Sequence, residues 1–181
     1  MKKTLEFVKP AVVLLLVAAV VALVLGLVDL MTRDRIAAIA EETMNKAMQS
    51  VLPAESYEPV ELAEAPSDID AVYAAEGGGW VVQVTESGSQ GTVTLMVGVD
   101  ENLTCTGISV TDSSETAGLG AIAAQASAAG DAFRSQFVGQ SGTVAVTKDG
   151  GEINALTGAT ITSRAVSDGV TAALALCESL A

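Results

Sequence analysis

The feature that most constrains this 181-residue chain is an uncharged run over residues 10–28, which consists almost wholly of Ala, Val and Leu. A helix rises about 1.5 Å per residue, so this run spans about 28 Å, close to the roughly 30 Å hydrocarbon core of a bilayer. A secretory signal peptide is the alternative, but its apolar part is about 7–15 residues long and ends at a small-residue cleavage site. Here Asp29-Leu30-Met31 follows the run. The sequence therefore predicts a retained transmembrane helix over residues 10–31.

Basic residues on either side of this run predict its orientation. Lys2, Lys3 and Lys9 precede it in a tail of residues 1–9, and Arg33 and Arg35 follow it. The flank richer in Lys and Arg tends to stay inside, and this tail is also very short. We therefore expect a cytoplasmic tail, with the C-terminal domain on the outer face of the cell membrane.

A helical repeat of apolar residues continues beyond the membrane run. This stripe, called the stalk stripe below, consists of Ile36, Ile39, Ala40, Met44, Ala47, Met48 and Val51. Its spacing predicts an amphipathic stalk helix over residues 32–52, which Pro53 ends. The stripe packs either on the chain's own domain or on partner subunits, and the pattern leaves both open. The acidic, Pro-containing residues 53–70 predict a linker.

Residues 71–181 have the pattern of an α+β domain. Short runs rich in Val and Thr, separated by short Gly- or Asp-containing breaks, predict antiparallel strands at 71–75, 80–86, 92–99 and 103–111, with another at 143–147. Short helices are expected at 121–129 and 131–137. A final helix over 163–180 has an apolar face of Val166, Val170, Ala173, Leu174 and Cys177. The prediction is an antiparallel sheet with helices on one face.

Composition narrows the functions open to this domain. Beyond Arg35 there are 19 acidic and 4 basic residues, a balance of −15 that repels nucleic acid and anionic head groups. The chain has no His, which excludes His-based catalysis and His metal ligands. Cys105 and Cys177 lack the clustering of iron–sulfur or zinc ligands. We expect two small buried hydrophobes, with a disulfide as the alternative, and neither a nucleic-acid partner nor a metal site.

Two stretches of small and polar residues are the candidate functional motifs. Residues 156–163 read Leu-Thr-Gly-Ala-Thr-Ile-Thr-Ser and precede the final helix. Thr160 or Thr162 is suited to be its N-cap, and a helix start also attracts phosphate, whose charge Arg164 is placed to screen. Residues 115–120 read Glu-Thr-Ala-Gly-Leu-Gly and are either an ordinary glycine turn or part of a ligand site. Asp112 and Glu115 are expected to be solvated loop charges.

Both stretches resemble the motifs of FMN-binding domains. Residues 157–160 are similar to the Ser/Thr-Gly-Ala-Thr motif, whose last Thr, here Thr160, is esterified by the FMN phosphate. Residues 115–120 resemble the Glu-Thr-Pro-Gly-Leu-Gly loop of these domains, with Ala117 in place of Pro. Phe133 and residues 136–139 resemble the aromatic-x-x-Gln-Phe-x-Gly stretch that follows it. The family usually has Asp six residues before the modified Thr, where this chain has Asn154.

The resemblance implies covalent FMN, held by a phosphoester link to Thr160 and by residues of both motifs. The further residues expected to bind the cofactor are Thr157, Gly158, Ala159, Thr162, Glu115, Thr116, Gly118, Leu119 and Gly120. Gly118 and Gly120 are expected to let the backbone approach the flavin ring, while Leu119 supplies an apolar face.

With one N-terminal membrane helix, the order of motifs resembles the G subunits of Rnf electron-transport complexes along nearly the whole chain. This implies a membrane-anchored subunit that relays electrons through FMN, in a complex that passes electrons between ferredoxin and NAD and moves Na⁺ or H⁺. The implied partners are other Rnf membrane, iron–sulfur and flavin subunits. A flavin transferase is expected for maturation, because a Thr hydroxyl without a base is a poor nucleophile. We expect no independent catalytic site.

Three alternatives remain open at this point. The C subunit of the Na⁺-translocating NADH:quinone reductase shares both motifs but is usually longer. A flavin-bearing sensor domain would act without obligate partner subunits. A non-redox extracellular interaction module would use Thr160 only as a helix cap.

Overall fold

The computed structural model describes residues 2–62 and 66–181 and divides into two compact units, Met1–Thr43 and Met44–Ala181. The predicted tail includes Met1 and the predicted linker includes residues 63–65, which lie outside the described residues. Helix α1 runs unbroken over Lys2–Val51. Its part from Val12 onward is long and apolar enough to cross a membrane, and none of its most apolar 18-residue stretch is buried.

The second unit contains a five-stranded antiparallel sheet. Its strands are β1 (Tyr57–Pro59), β2 (Ile69–Ala75), β3 (Trp80–Ser87), β4 (Thr92–Val99) and β5 (Cys105–Ser113). They lie side by side in chain order, so each pairs with the next. The strands predicted at 71–75, 80–86, 92–99 and 103–111 coincide with β2, β3, β4 and β5 to within about two residues at either end. The predicted antiparallel meander is therefore confirmed.

Two predictions about the connecting segments are wrong. The predicted linker over 53–70 contains the edge strand β1 and the start of β2. Residues 143–147 form no strand. Val146 makes only an isolated bridge with Ile153, and Thr147–Asp149 forms a 3₁₀ turn. The backbone of Val144 bonds instead to Thr171 Oγ1, which accepts from the amide at 2.9 Å and donates to the carbonyl at 3.1 Å. The segment is thus tied to a helix and not to the sheet.

The helical segments after the sheet are shorter and more broken than predicted, except for the last one. A 3₁₀ turn over Gly120–Ala123, helix α2 over Ala128–Arg134 and a second 3₁₀ turn over Ser135–Phe137 replace the two expected helices. Ser127 caps α2 by accepting a hydrogen bond from the Gly130 amide at 3.2 Å. The final helix, α3, runs over Thr160–Leu180 and so begins three residues earlier than predicted.

The core lies between α3 and one face of the sheet, as the α+β prediction requires. The predicted apolar face of α3 is buried against β3 and β4 in full: Val166, Val170, Ala173, Leu174 and Cys177 are at most 2% exposed. Both cysteines are free and buried, which confirms the prediction of small buried hydrophobes. Burying these side chains is the main force that holds α3 on the sheet.

The other face of the sheet is covered by the last turns of α1. Met48 and Val51 are buried there with Val81 and Met96. Thr106 Oγ1 also donates a hydrogen bond to the carbonyl oxygen of Val51, satisfying one of the carbonyls that a helix leaves unpaired at its end. This end of the stalk stripe therefore packs on the chain's own domain.

The beginning of the stalk stripe is different. Ile36 and Ile39 are 62% and 60% exposed, so their apolar side chains have no protein cover within the described residues.

Candidate functional site

A hydrogen bond joins the two sequence motifs. Glu115 lies in the loop after β5, and Thr162 lies in the first turn of α3. Thr162 Oγ1 donates to Glu115 Oε2 at 2.6 Å, across 47 residues of chain. The two motifs that resemble the FMN-binding family therefore form one site.

Glu115 also holds the turn between β3 and β4. Its Oε1 accepts the backbone amides of Ser89 at 2.6 Å and Gln90 at 3.1 Å. Desolvation raises the pKa of Glu115, but the hydrogen bonds from Thr162 and from this turn outweigh it and leave the pKa below its ordinary value. Glu115 is thus a half-buried brace between three segments, and the expectation that it is a solvated loop charge is wrong. Asp112, by contrast, is exposed.

Gly120 is required by this brace. A Cβ atom at this position would lie 2.5 Å from both Glu115 Oε2 and Thr162 Oγ1. Such distances are well inside van der Waals contact, so a larger residue would have to displace one of the two oxygens. The structure therefore gives Gly120 a packing role within the protein, where the sequence led us to expect close approach to a flavin ring.

The N-terminus of α3 opens into the same site. The helix begins at Thr160, its N-cap is Ala159, and no side chain among the described residues caps it. The interpretation of Thr160 or Thr162 as the N-cap is therefore wrong, since both lie inside the first turn. The first amides of a helix have no intrahelical acceptor and carry the positive end of its dipole. The hydroxyl of Thr160 thus lies beside groups that favour a bound anion.

The basic residue at this helix start is Lys148, which the sequence motifs do not include. Its Nζ donates to Thr160 Oγ1 at 3.1 Å. Arg164 instead makes a two-pronged ion pair with Asp149, with Nε–Oδ2 at 2.6 Å and Nη2–Oδ1 at 2.7 Å. The charge predicted from Arg164 is therefore directed at Asp149, and Lys148 supplies the charge next to Thr160. The sequence held one signal for Lys148: only four basic residues occur beyond Arg35, and Lys148 is one of them.

These groups line a cleft of about 350 Å³. Its wall contains eight of the ten predicted site residues: Glu115, Thr116, Leu119, Gly120, Gly158, Ala159, Thr160 and Thr162. The other two, Thr157 and Gly118, are exposed and do not line it. The cleft adds Ile161, which lies between two predicted site residues, and Ser89, Gln90 and Lys148, which the sequence did not indicate. These last three come from segments that only the fold brings to the motifs.

The cleft wall includes exposed apolar side chains. Leu119 and Ile161 both line it and keep 44% and 54% of their surface exposed. Gly158, in a left-handed conformation with φ +77°, faces the side chain of Leu119, and a Cβ there would lie 3.1 Å from it. Exposed large aliphatic side chains beside a polar helix start suit a ligand with one flat apolar part and one anionic part.

Gln136 supports the segment that leads into the site. Its Oε1 accepts from the Asn154 backbone amide at 2.8 Å and from Asn154 Nδ2 at 3.1 Å, and its Nε2 donates to the Asn154 carbonyl at 3.2 Å. The neighbouring Phe133 and Phe137 are buried and meet edge to face at 5.3 Å. The two Phe residues of this stretch are therefore part of the core, and Gln136 supports the backbone at Asn154. Gln136 also accepts a hydrogen bond from the side-chain amide of Asn154.

The residues present fit a flavin mononucleotide. The cleft offers a hydroxyl at an uncapped helix N-terminus and an ammonium for a phosphate, together with aliphatic side chains for an isoalloxazine ring.

Comparison with known proteins agrees with this fit. Residues 88–175, which include every residue lining the cleft, match the FMN-binding domain family.

Similar proteins cover nearly the whole chain. The G subunit of an ion-translocating oxidoreductase complex of Methanosarcina acetivorans is 32% identical over 185 residues, which cover 96% of each chain. The G subunit of a Na(+)-translocating ferredoxin:NAD(+) oxidoreductase complex of Acetobacterium woodii is 32% identical over 196 residues, which cover 95% of this chain and 92% of the relative. The G subunit of an ion-translocating oxidoreductase complex of Aliivibrio fischeri is 29% identical over 177 residues, which cover 87% of this chain and 84% of the relative.

Proposed function

The chain belongs to the family of G subunits of ion-translocating oxidoreductase complexes, and we propose that it is the subunit that relays electrons on covalently bound FMN at the membrane. The observation that carries this proposal is the hydrogen bond between Glu115 and Thr162. It brings both family motifs to one cleft, whose wall includes Thr160.

FMN supplies the redox chemistry when bound, and the protein supplies its position. In this proposal Thr160 Oγ1 carries the phosphate as an ester. The first amides of α3 have no side-chain cap and would stabilise the negative charge of that phosphate. Because the domain is strongly acidic, a covalent bond retains the cofactor where a free phosphate would be repelled.

The remaining predicted residues have two kinds of role in this proposal. Leu119, Gly158 and Ala159 line the cleft and would lie beside the bound cofactor. Glu115, Gly120 and Thr162 act on the protein side, since their contacts hold the cleft walls together. Thr116 lines the cleft, while Thr157 and Gly118 lie outside its wall and would contact the cofactor only at the rim.

A separate flavin transferase is the proposed source of the attached FMN. The chain contains no His, so Thr160 has no imidazole base to activate its hydroxyl. Lys148 donates to that hydroxyl and so does not remove its proton. In this proposal the transferase supplies the base, and the exposed Thr157 and Gly158 beside Thr160 are accessible to it.

The proposed place of the subunit is an Rnf-type complex that passes electrons between ferredoxin and NAD and moves Na⁺ or H⁺. One relative is named as the G subunit of a Na(+)-translocating ferredoxin:NAD(+) oxidoreductase complex and another as the G subunit of an ion-translocating oxidoreductase complex, and α1 is long enough to anchor the chain. The excess of Lys in the N-terminal tail supports an N-terminus inside and an FMN domain on the outer face of the cell membrane.

The test is co-expression with a flavin transferase, followed by denaturing electrophoresis with in-gel flavin fluorescence and peptide mass mapping. The wild-type chain should gain the mass of one FMN, less one water, on the peptide that contains Thr160. Thr160→Ala and Thr160→Val should lose it, because the ester needs a hydroxyl, while Thr157→Ser changes an exposed residue outside the cleft wall, should be nearly silent and serves as the control. Asn154→Asp should maintain or raise the loaded fraction. Undiminished fluorescence in Thr160→Ala would disprove the assignment.

A further inference from the structure

Lys148 is placed for a specific role at Thr160. Of the residues that line the cleft, Lys148 is the only basic one, and its Nζ donates to Thr160 Oγ1 at 3.1 Å. It lies in the 3₁₀ turn over Thr147–Asp149, twelve residues before Thr160. The turn is otherwise exposed, so Lys148 is not there to fill the core.

The turn that carries Lys148 is fastened to α3. Asp149, the next residue, makes two hydrogen bonds with the Arg164 guanidinium, at 2.6 and 2.7 Å. The amide of Thr147 donates to the Ile153 carbonyl at 2.8 Å on its other side. Because both neighbours of Lys148 are hydrogen-bonded, the backbone that carries this side chain is fixed beside the first turn of α3.

We propose that Lys148 is a positioning residue for the attachment of FMN to Thr160. This inference rests on the proposed function. The donor is a flavin dinucleotide: a bond forms between Thr160 Oγ1 and the phosphorus on the flavin side, the P–O–P bond breaks, and AMP leaves. The Thr160 proton passes to a base of the transferase. No oxidation or reduction takes place.

The chemistry of this step favours a cation at the position of Lys148. The dinucleotide brings two negative charges to a domain whose balance is −15 beyond Arg35. An ammonium at Thr160 Oγ1 directs that oxygen toward the incoming phosphorus and stabilises the charge that develops on the phosphoryl oxygens. After the transfer the phosphodiester keeps one negative charge, and Lys148 remains beside it as the counter-charge.

The experiment measures the rate of FMN attachment to the full-length chain in detergent, with a purified flavin transferase, FAD and Mg²⁺. The readout is intact mass against time, at several concentrations of the chain. Lys148→Met keeps the aliphatic stem and removes the charge. Lys148→Arg restores a charge. Lys46→Met makes the same change in α1, outside the cleft, and is the matched control.

We expect Lys148→Met to lower the rate at saturating chain concentration about tenfold or more. The concentration that gives half the maximal rate should stay within about twofold, because docking to the transferase is unaffected. Lys148→Arg should recover to within about threefold of wild type, and Lys46→Met should match wild type. The thermal midpoint of Lys148→Met should lie close to that of the wild type, since the side chain is exposed.

The outcomes separate this inference from the proposed function. If wild type acquires FMN on Thr160 and Lys148→Met acquires it at the same rate, the inference fails alone. It also fails if Lys46→Met loses as much rate, or if Lys148→Met loses its rate only because it unfolds. If wild type never acquires FMN on Thr160, the proposed function fails and the inference with it.

Discussion

Replacing Gly120 with Ala tests whether the cleft is built around the hydrogen bond between Glu115 and Thr162. A Cβ at residue 120 would lie 2.5 Å from both bonded oxygens, so the bond must open to admit it. A hydrogen bond to a charged group contributes about 1.5–3 kcal/mol, and the new Ala recovers about 0.4–1 kcal/mol by restricting the unfolded chain. We expect the free energy of unfolding to fall by about 0.5–2.6 kcal/mol.

Urea and thermal unfolding of the compact unit Met44–Ala181 would measure this change. For a domain of this size, the expected loss corresponds to a fall of roughly 2–10 °C in the midpoint. The urea slope should not change, because the amount of surface exposed on unfolding is the same.

A double-mutant cycle tests whether the cost of Gly120→Ala comes from the hydrogen bond between Glu115 and Thr162. In a Thr162→Ala background the hydrogen bond and one of the two oxygens that the Cβ would meet are already absent, so Gly120→Ala should cost at least about 1 kcal/mol less. Gly118→Ala is the control: its φ is +77° but nothing lies within 4 Å of the added Cβ. Its cost comes from left-handed strain and should be the same in both backgrounds. An equal cost of Gly120→Ala with and without the Thr162 hydroxyl would refute the brace.

Three further predictions follow from the buried and titrating groups. A soluble fragment that begins at Met44 should be more stable than one that begins at Glu55, by about 1.5–3 kcal/mol for each sheet side chain that α1 no longer covers; equal urea midpoints would contradict this. Because the pKa of Glu115 is lower in the folded state, its contribution to stability is complete above its ordinary value of 4.5 and is lost as the pH falls below it. The stability difference between wild type and Glu115→Gln should therefore shrink on going from pH 6 to pH 3. Burial raises the pKa of Cys105 to about 11 and of Cys177 to about 12, so neither thiol should react with a disulfide reagent at pH 8 until the domain is unfolded, and rapid labelling of native protein would show otherwise.

Elements that depend on local periodicity could be predicted from the sequence. The uncharged run and the repeat that follows it predicted one long helix, and α1 is continuous to Val51. Runs rich in Val and Thr between Gly- or Asp-containing breaks predicted β3 and β4 almost to the residue. Strand propensity and turn preference depend on residues that are close together in the chain. The motif residues themselves are also local, which is why eight of the ten predicted positions line the cleft.

What the sequence did not indicate depends on contacts between distant segments. Lys148 and Thr160 are twelve residues apart, and Glu115 and Thr162 are 47 apart. No periodicity relates such pairs. Arg164 was closer in sequence to the helix start, yet Asp149 lies within reach of its guanidinium and takes its charge. In the stalk stripe, likewise, contact with the sheet decides which residues are buried: Met48 and Val51 are covered, whereas Ile36 and Ile39 are exposed.

The sequence thus indicated most of the residues that line the cleft and predicted most of the elements that hold them. Only the tertiary structure decided the partner of each residue: Gly120 makes room for an internal hydrogen bond, Glu115 braces three segments, and Lys148 provides the charge at Thr160. The physical reason is that backbone propensities and hydrophobic periods act over a few residues, whereas a charged group pairs with whatever the packed core brings within about 3 Å of it.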